Sequence, residues 1–210
     1  MSWKPSSRPH CVIVVASTDH FASSSTLEGV SAASITASLA QLILRNAIVT
    51  TRMHLPNAAA TERVGAALAR ALIGGMVIAL HGDLGTGKTT LVRGVLRELG
   101  WTGSVKSPTY TLVEYYPISS LYLYHFDFYR FADPSEWETA GLADCFRSDS
   151  VCLVEWPERV AGLLPPADLD ATLMHVAQDA SGRDLLVTSS TAAGNRCQAA
   201  IAALHAPSPS

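Results

Sequence analysis

The sequence predicts an α/β fold, on three observations. Residues 76–80 form an apolar run short enough for a buried strand, and a glycine-rich turn leads from it into an amphipathic helix. Two later apolar runs, 121–126 and 151–154, each end in a carboxylate, Asp127 and Glu155. Beyond them, residues 169–176 and 184–189 alternate loosely around a polar stretch, 179–182, which reads as an antiparallel hairpin. In an open α/β sheet the carboxyl ends of the strands line the ligand crevice, so the turn and the two acids are expected together.

The turn reads Gly82-x-x-x-x-Gly87-Lys88-Thr89, the P-loop pattern. Gly82, Gly85 and Gly87 let the backbone take positive φ and approach a ligand closely. The amides of Asp83, Leu84, Thr86 and Thr90 belong to the same stretch. Together they converge on an anion at the positive end of the helix that begins near Lys88. Lys88 adds a mobile charge for β- and γ-phosphates, and the Thr89 hydroxyl suits Mg²⁺. Leu91, Val92, Val95, Leu96 and Leu99 fall on one face of that helix, and Gly100 ends it.

The remaining elements follow in order. Residues 1–52 are rich in Ser, Ala and Thr and sparse in charge, and read as a disordered extension or as sequence upstream of the true start; Met53 is then the initiator. The P-loop domain is expected over 53–190, with a terminal helix and tail over 191–210. Residues 57–73 read as a helix with Val64, Ala67, Leu68, Ala71 and Leu72 inward, stopped by Gly74 and Gly75. Gly103 and Pro108 mark a loop bearing hydroxyls, of the kind that senses nucleotide state. A strand is expected over 109–116 and a turn over 117–120. Asp133 and Pro134 start a short helix that Gly141 breaks. His125 beside aromatics reads as a hydrogen-bonded structural residue. Trp156 suits either a base stack or the core. Pattern alone leaves open which of Asp127 and Glu155 serves a metal and which orients water.

Of 210 residues, 48% are hydrophobic and 16% charged, enough for one full core. A net charge of −3 gives no basic footprint for nucleic acid, so any RNA substrate is expected to be held by another protein. Cys11, Cys145, Cys152 and Cys197 lack C-x-x-C spacing and read as reduced thiols. No apolar run is long enough to cross a bilayer, and a cytoplasmic location is expected.

Four motifs in one order resemble the TsaE family, the small P-loop ATPases of bacterial tRNA threonylcarbamoyladenosine biosynthesis. They are Gly82-Asp83-Leu84-Gly85-Thr86-Gly87-Lys88-Thr89-Thr90, the stretch from Val105-Lys106-Ser107-Pro108-Thr109 through Glu114, His125-Phe126-Asp127-Phe128-Tyr129-Arg130, and Leu153-Val154-Glu155-Trp156-Pro157. The resemblance covers roughly residues 55 to 190. It implies a three-layer α/β/α P-loop NTPase fold with a mixed, largely parallel sheet and a C-terminal antiparallel hairpin. It implies ATP and Mg²⁺ as ligands, with hydrolysis serving a TsaB–TsaD type complex that modifies adenosine 37 of ANN-decoding tRNAs; contact with tRNA would be indirect. Thr89 and Glu155 would ligate Mg²⁺, Asp127 would be an essential acid near the γ-phosphate, Thr109 would sense that phosphate, and Trp156 would lie beside the nucleotide. Lys88, Asp127 and Glu155 are the expected catalytic set. Adenine is expected against backbone around 57–61.

Two other classes compete with this reading. A small P-loop kinase needs an acceptor pocket and an Arg-bearing lid, whereas Arg130, Arg147 and Arg159 are scattered. A GTP switch without a catalytic role needs an Asn-Lys-x-Asp guanine motif, which the sequence lacks.

Overall fold

The computed structural model describes residues 50–118 and 121–205. Among the described residues seven strands form a single sheet: β1 (Thr50–Leu55), β2 (Val77–His81), β3 (Val113–Ile118), β4 (Leu121–Asp127), β5 (Ser150–Glu155), β6 (Leu169–Val176) and β7 (Asp179–Ser189). The helices are α1 (Ala58–Ala69), α2 (Lys88–Glu98), α3 (Ser135–Thr139) and α4 (Ala192–Ala202), with short 3₁₀ turns at Leu142–Cys145, Pro157–Val160 and Ala203–His205. The sheet order is β1-β7-β6-β2-β5-β4-β3. Its centre, β6-β2-β5-β4, is parallel; β7 and β1 on one side and β3 on the other join antiparallel.

Alternate residues of the central strands enter two separate cores, as a period of two requires. Ile78, Leu80, Leu123, Val151 and Leu153 pack under α1, α2 and α4, with Val64, Leu68, Leu91, Val95 and Ile201 from the helices. Val77, Phe126, Cys152 and Val154 face the other way, against Phe128, Phe131, Trp137, Leu142 and Val160. Three layers result, though the second helical layer is thin, made of α3 and two 3₁₀ turns. Leu68, Leu91 and Leu96 are fully buried, each contributing roughly 2 kcal/mol of transfer free energy. α1 lies close on α2: a Cβ added at Gly94 would stand 2.1 Å from the Glu62 carbonyl oxygen. This pins the P-loop helix from behind. Cys145, Cys152 and Cys197 are free thiols; burial pushes Cys152 up to about 12 and Cys197 up to about 11. Cys11 lies outside the described residues.

Local chemistry sets the element ends. Asn57 caps α1, its side-chain oxygen accepting from the Ala60 amide at 3.0 Å. Asp133 accepts from the Ser135 amide at 2.9 Å and Pro134 takes helical φ, so α3 starts where the Asp-Pro pair indicates. Gly141, at φ 61, ends it.

Four expectations need correction. A strand, β1, precedes α1; it pairs with β7 and buries Met53 and Leu55. Met53 therefore lies inside a strand rather than just ahead of organised sequence. Only its inward residues are apolar, and an edge strand of six residues leaves little periodicity to read. The strand expected over 109–116 begins at Val113, because residues 109–112 turn, with Leu112 at φ 62. The turn expected over 117–120 is strand to Ile118: Pro117 pairs with Tyr122, tolerated because β3 is the sheet edge and needs no amide donor on its outer side. Finally, β7 begins at Asp179, within the stretch expected to be the loop, with a register irregularity at His175 and Val176. The tail over 206–210 lies outside the described residues, as does the segment 1–49.

Candidate functional site

The site is built where β2, β4 and β5 end. β2 delivers the chain to Gly82, which sits at φ 123 with a would-be Cβ 2.1 Å from the Leu173 carbonyl oxygen of β6; only glycine fits. Gly87, at φ 101, turns the backbone into α2, so the loop wraps around the amino end of a helix. Thr86 steadies the turn, its hydroxyl donating to the Asp83 carbonyl at 2.9 Å. From outside, His175 Nε2 lies 3.3 Å from the Leu84 carbonyl oxygen, and Arg183 donates to the Gly85 carbonyl at 3.1 Å.

Lys88 is buried, and its ammonium folds back onto the loop, donating to the carbonyls of Gly82 at 2.5 Å and Asp83 at 2.9 Å. It also lies 4.2 Å from the centre of the Trp156 ring. Removal from water pulls its pKa down, against the carboxylates of Glu155, Asp127, Glu158 and Asp83. The charge is held by dipoles and a ring face rather than by one salt bridge, which leaves it ready for an incoming anion.

The two acids have different surroundings. Asp127 and Glu155 are register partners on parallel strands. Glu155 Oε1 accepts from the Thr89 hydroxyl at 2.8 Å and lies 2.9 Å from His125 Nε2. Asp127 instead holds the loop before β3. Its Oδ2 accepts from the hydroxyls of Ser107 and Thr109, the latter at 2.7 Å, and its Oδ1 accepts from the Tyr129 amide at 2.9 Å. The Asp127 amide donates to the Leu112 carbonyl at 3.0 Å. Leu112 and Trp156, the two described non-glycine residues at positive φ, thus each adjoin one of the acids. Such backbone costs on the order of 1–3 kcal/mol and persists where surroundings over-determine it.

A cavity of about 260 Å³ lies between these groups, lined by Leu84, Gly85, Gly87, Lys88, Thr89, Thr90, Ser107, Thr109, Asp127, Glu155 and Trp156. Nearly every residue expected at the site is brought together here. Gly82, Asp83 and Thr86 underlie the loop without lining the cavity. Trp156 is half-buried, with Tyr129 5.0 Å away and Lys88 over its ring. The volume suits a phosphate chain and a cation better than a whole nucleotide. Asn57, in the stretch expected to meet adenine, spends its side chain on the α1 cap.

The donors also fit magnesium. Thr89 and Glu155 offer hard oxygens at the foot of the phosphate cradle. No group of three or more His, Cys, Asp or Glu gathers to hold a metal among the described residues. A cation there would take most of its ligands from phosphate and water, as Mg²⁺ commonly does.

His125, read from sequence as a hydrogen-bonded structural residue, is one, and its partner is a site acid, a pairing that the sequence did not indicate. It is fully buried and contacts Glu155. The signal for that contact was its spacing: residues 125 and 127 share one face of β4, so a histidine two before the acid lies on the acid's own face of the sheet.

Fold and site together define a P-loop type α/β protein with a mixed sheet. The profile of the family described as "Threonylcarbamoyl adenosine biosynthesis protein TsaE" matches residues 55–185, and the chain belongs to that family. It is similar to the tRNA threonylcarbamoyladenosine biosynthesis protein TsaE of Haemophilus influenzae, 56% identical over 94 residues, 45% of this chain and 60% of that protein. It is 41% identical over 122 residues to the TsaE protein of Bacillus subtilis, covering 58% of this chain and 73% of that one. A crystal structure of Bacillus subtilis YdiB superposes with a TM-score of 0.61 at 26% identity, covering 76% of this chain and 98% of that one. No helix among the described residues is long and apolar enough to cross a membrane.

Proposed function

We propose that this chain is a magnesium-dependent ATPase serving threonylcarbamoyl modification of adenosine 37 in ANN-decoding tRNAs. It would act in the cytoplasm on a TsaB–TsaD type complex, with tRNA held by that complex. The observation that carries the proposal is the Thr89 hydroxyl on Glu155 Oε1 at the foot of a glycine cradle that also holds Lys88. The one family matched above, of threonylcarbamoyl adenosine biosynthesis proteins, supports the pathway.

The chain's own groups divide the work. Amides from Gly82 to Thr89 would receive the phosphates, and Lys88 would exchange the Gly82 and Asp83 carbonyls for β- and γ-phosphate oxygens. Thr89 and Glu155 would hold magnesium, which when bound neutralises charge building on the phosphates. Trp156 would wall the site beside the nucleotide. Asp127 would orient the attacking water near the γ-phosphate. At present its Oδ2 is taken up by Ser107 and Thr109, so that loop must loosen before the acid is free.

Hydrolysis by the isolated chain is therefore slow. No arginine among the described residues lines the cavity, and an arginine finger is worth roughly 10³–10⁵ in rate. Arg147 is committed to Asp149, and Arg130 rests over the Tyr110 ring, so neither forms the lid that a small kinase needs. The test is reconstitution. With TsaB–TsaD type partners, ATP and tRNA, the chain should support repeated modification, and Lys88→Ala should stop it. Phosphate transfer to a small acceptor without partners would reject the reading.

A further inference from the structure

We propose that His125 is a positioning residue for Glu155, and through it for the divalent cation. The inference rests on the nucleotide-binding reading above and adds a residue to it. His125 has no exposed surface, and among the described residues its setting offers no other polar partner: Nδ1 is buried without a hydrogen bond, and Nε2 meets Glu155 Oε1 at 2.9 Å. The imidazole thus has one polar contact, and that contact is the expected metal ligand. An apolar side chain would fill the same space with no buried polar atoms to leave unpaired. The residue's polarity is explained only by what it does to Glu155.

The geometry shows what that is. A carboxylate only accepts, so Nε2 carries the hydrogen and donates to Oε1. Thr89 donates to the same Oε1 at 2.8 Å. Two donors on one oxygen fix the rotation of the carboxylate and leave Oε2 with no protein hydrogen bond among the described residues. β4 supplies the support: residues 125 and 127 share a face, and β4 lies in parallel register with β5. Groups that hydrogen-bond a metal ligand from behind commonly change metal affinity 10–100-fold when removed.

The experiment titrates Mg²⁺ against ADP binding to the full chain, followed by calorimetry, for wild type, His125→Gln, His125→Leu and His125→Asn. Gln places an amide donor near the Nε2 position; Leu removes the donor, and Asn is too short to reach. The expected result is a Mg²⁺ requirement raised at least about tenfold in the Leu and Asn variants and within about threefold of wild type in Gln. ADP affinity in EDTA should stay unchanged in all four. Where Leu fails to fold, the Gln and Asn pair decides. Equal Mg²⁺ requirements in Gln and Asn, or EDTA affinities that fall in step with the magnesium ones, overturn the proposal. Wild type binding ADP with no magnesium dependence would overturn the metal-site reading itself, a result distinct from a normal wild type with unresponsive variants.

Discussion

The Thr109 hydroxyl lies 2.7 Å from Oδ2 of Asp127 and donates to it. Ser107 donates to the same oxygen and also sits 2.7 Å from the Thr109 hydroxyl, so three polar groups that line the cavity close a small ring. The loop expected from sequence to sense the nucleotide is thereby latched to the acid expected to act on it. A hydrogen bond to a charged acceptor contributes about 1.5–3 kcal/mol.

Replacing either end should release the loop. Asp127→Asn and Thr109→Val are expected to raise amide exchange over residues 107–112 by about tenfold, with exchange in β2 and β5 unchanged. Asp127→Asn should also reduce partner-stimulated hydrolysis by at least about a hundredfold, whereas Thr109→Val should cost less, since the acid itself remains. Hydrogen-exchange mass spectrometry reads the first effect and phosphate release the second. Unchanged exchange in both variants would show that the ring does not hold the loop.

Gly82→Ala places a methyl 2.1 Å from the Leu173 carbonyl oxygen, at φ 123. Neither the loop nor β6 can yield cheaply, because Leu173 is paired in the sheet. A loss of roughly 2–4 kcal/mol in urea unfolding is expected, together with loss of nucleotide binding. Gly85→Ala meets no atom within 4 Å and should cost only the strain of its positive φ, about 1 kcal/mol.

His81, the residue before the P-loop, bridges β6 and the turn after β5. Its Nε2 lies 2.9 Å from Asp170 Oδ1, and its Nδ1 lies 3.6 Å from Glu158 Oε2. The hydrogen bond to Asp170 raises its pKa above 6.5, outweighing the opposing effect of burial. A raised pKa means that the folded state holds the proton more tightly. The stabilisation is fully present below the unfolded value of 6.5 and is lost as pH rises through the folded value. His81→Gln should therefore destabilise most near about pH 5.5 and progressively less toward about pH 8.5 in urea unfolding. A difference between wild type and variant that is constant with pH would contradict this.

Much of this arrangement was legible in the sequence because the chemistry is local. Gly82 to Thr89 is a continuous stretch whose spacing dictates its own geometry, and Asp127 and Glu155 announce themselves as polar ends of apolar runs. The parts that escaped reading depend on distant partners. β1 is a strand only because β7 lies beside it, and Pro117 is in a strand only because β3 is an edge. Thr109 to Leu112 has strand-like composition, yet the Asp127 carboxylate, eighteen residues away, pulls it into a turn. His125 was legible as a hydrogen-bonded residue, but not its partner Glu155, which lies on the neighbouring strand.

The most direct test of the central claim is calorimetric titration of adenine nucleotide into the purified chain with magnesium, set beside Lys88→Ala. Lys88 holds its own loop carbonyls, and the variant loses the charge that meets the phosphates; a cooperative urea transition confirms that it is folded. The account predicts one site per chain in wild type, weakened by magnesium chelation and by at least about tenfold in Lys88→Ala. No heat of binding from ATP or ADP in wild type, or equal affinity in wild type and Lys88→Ala, would contradict it.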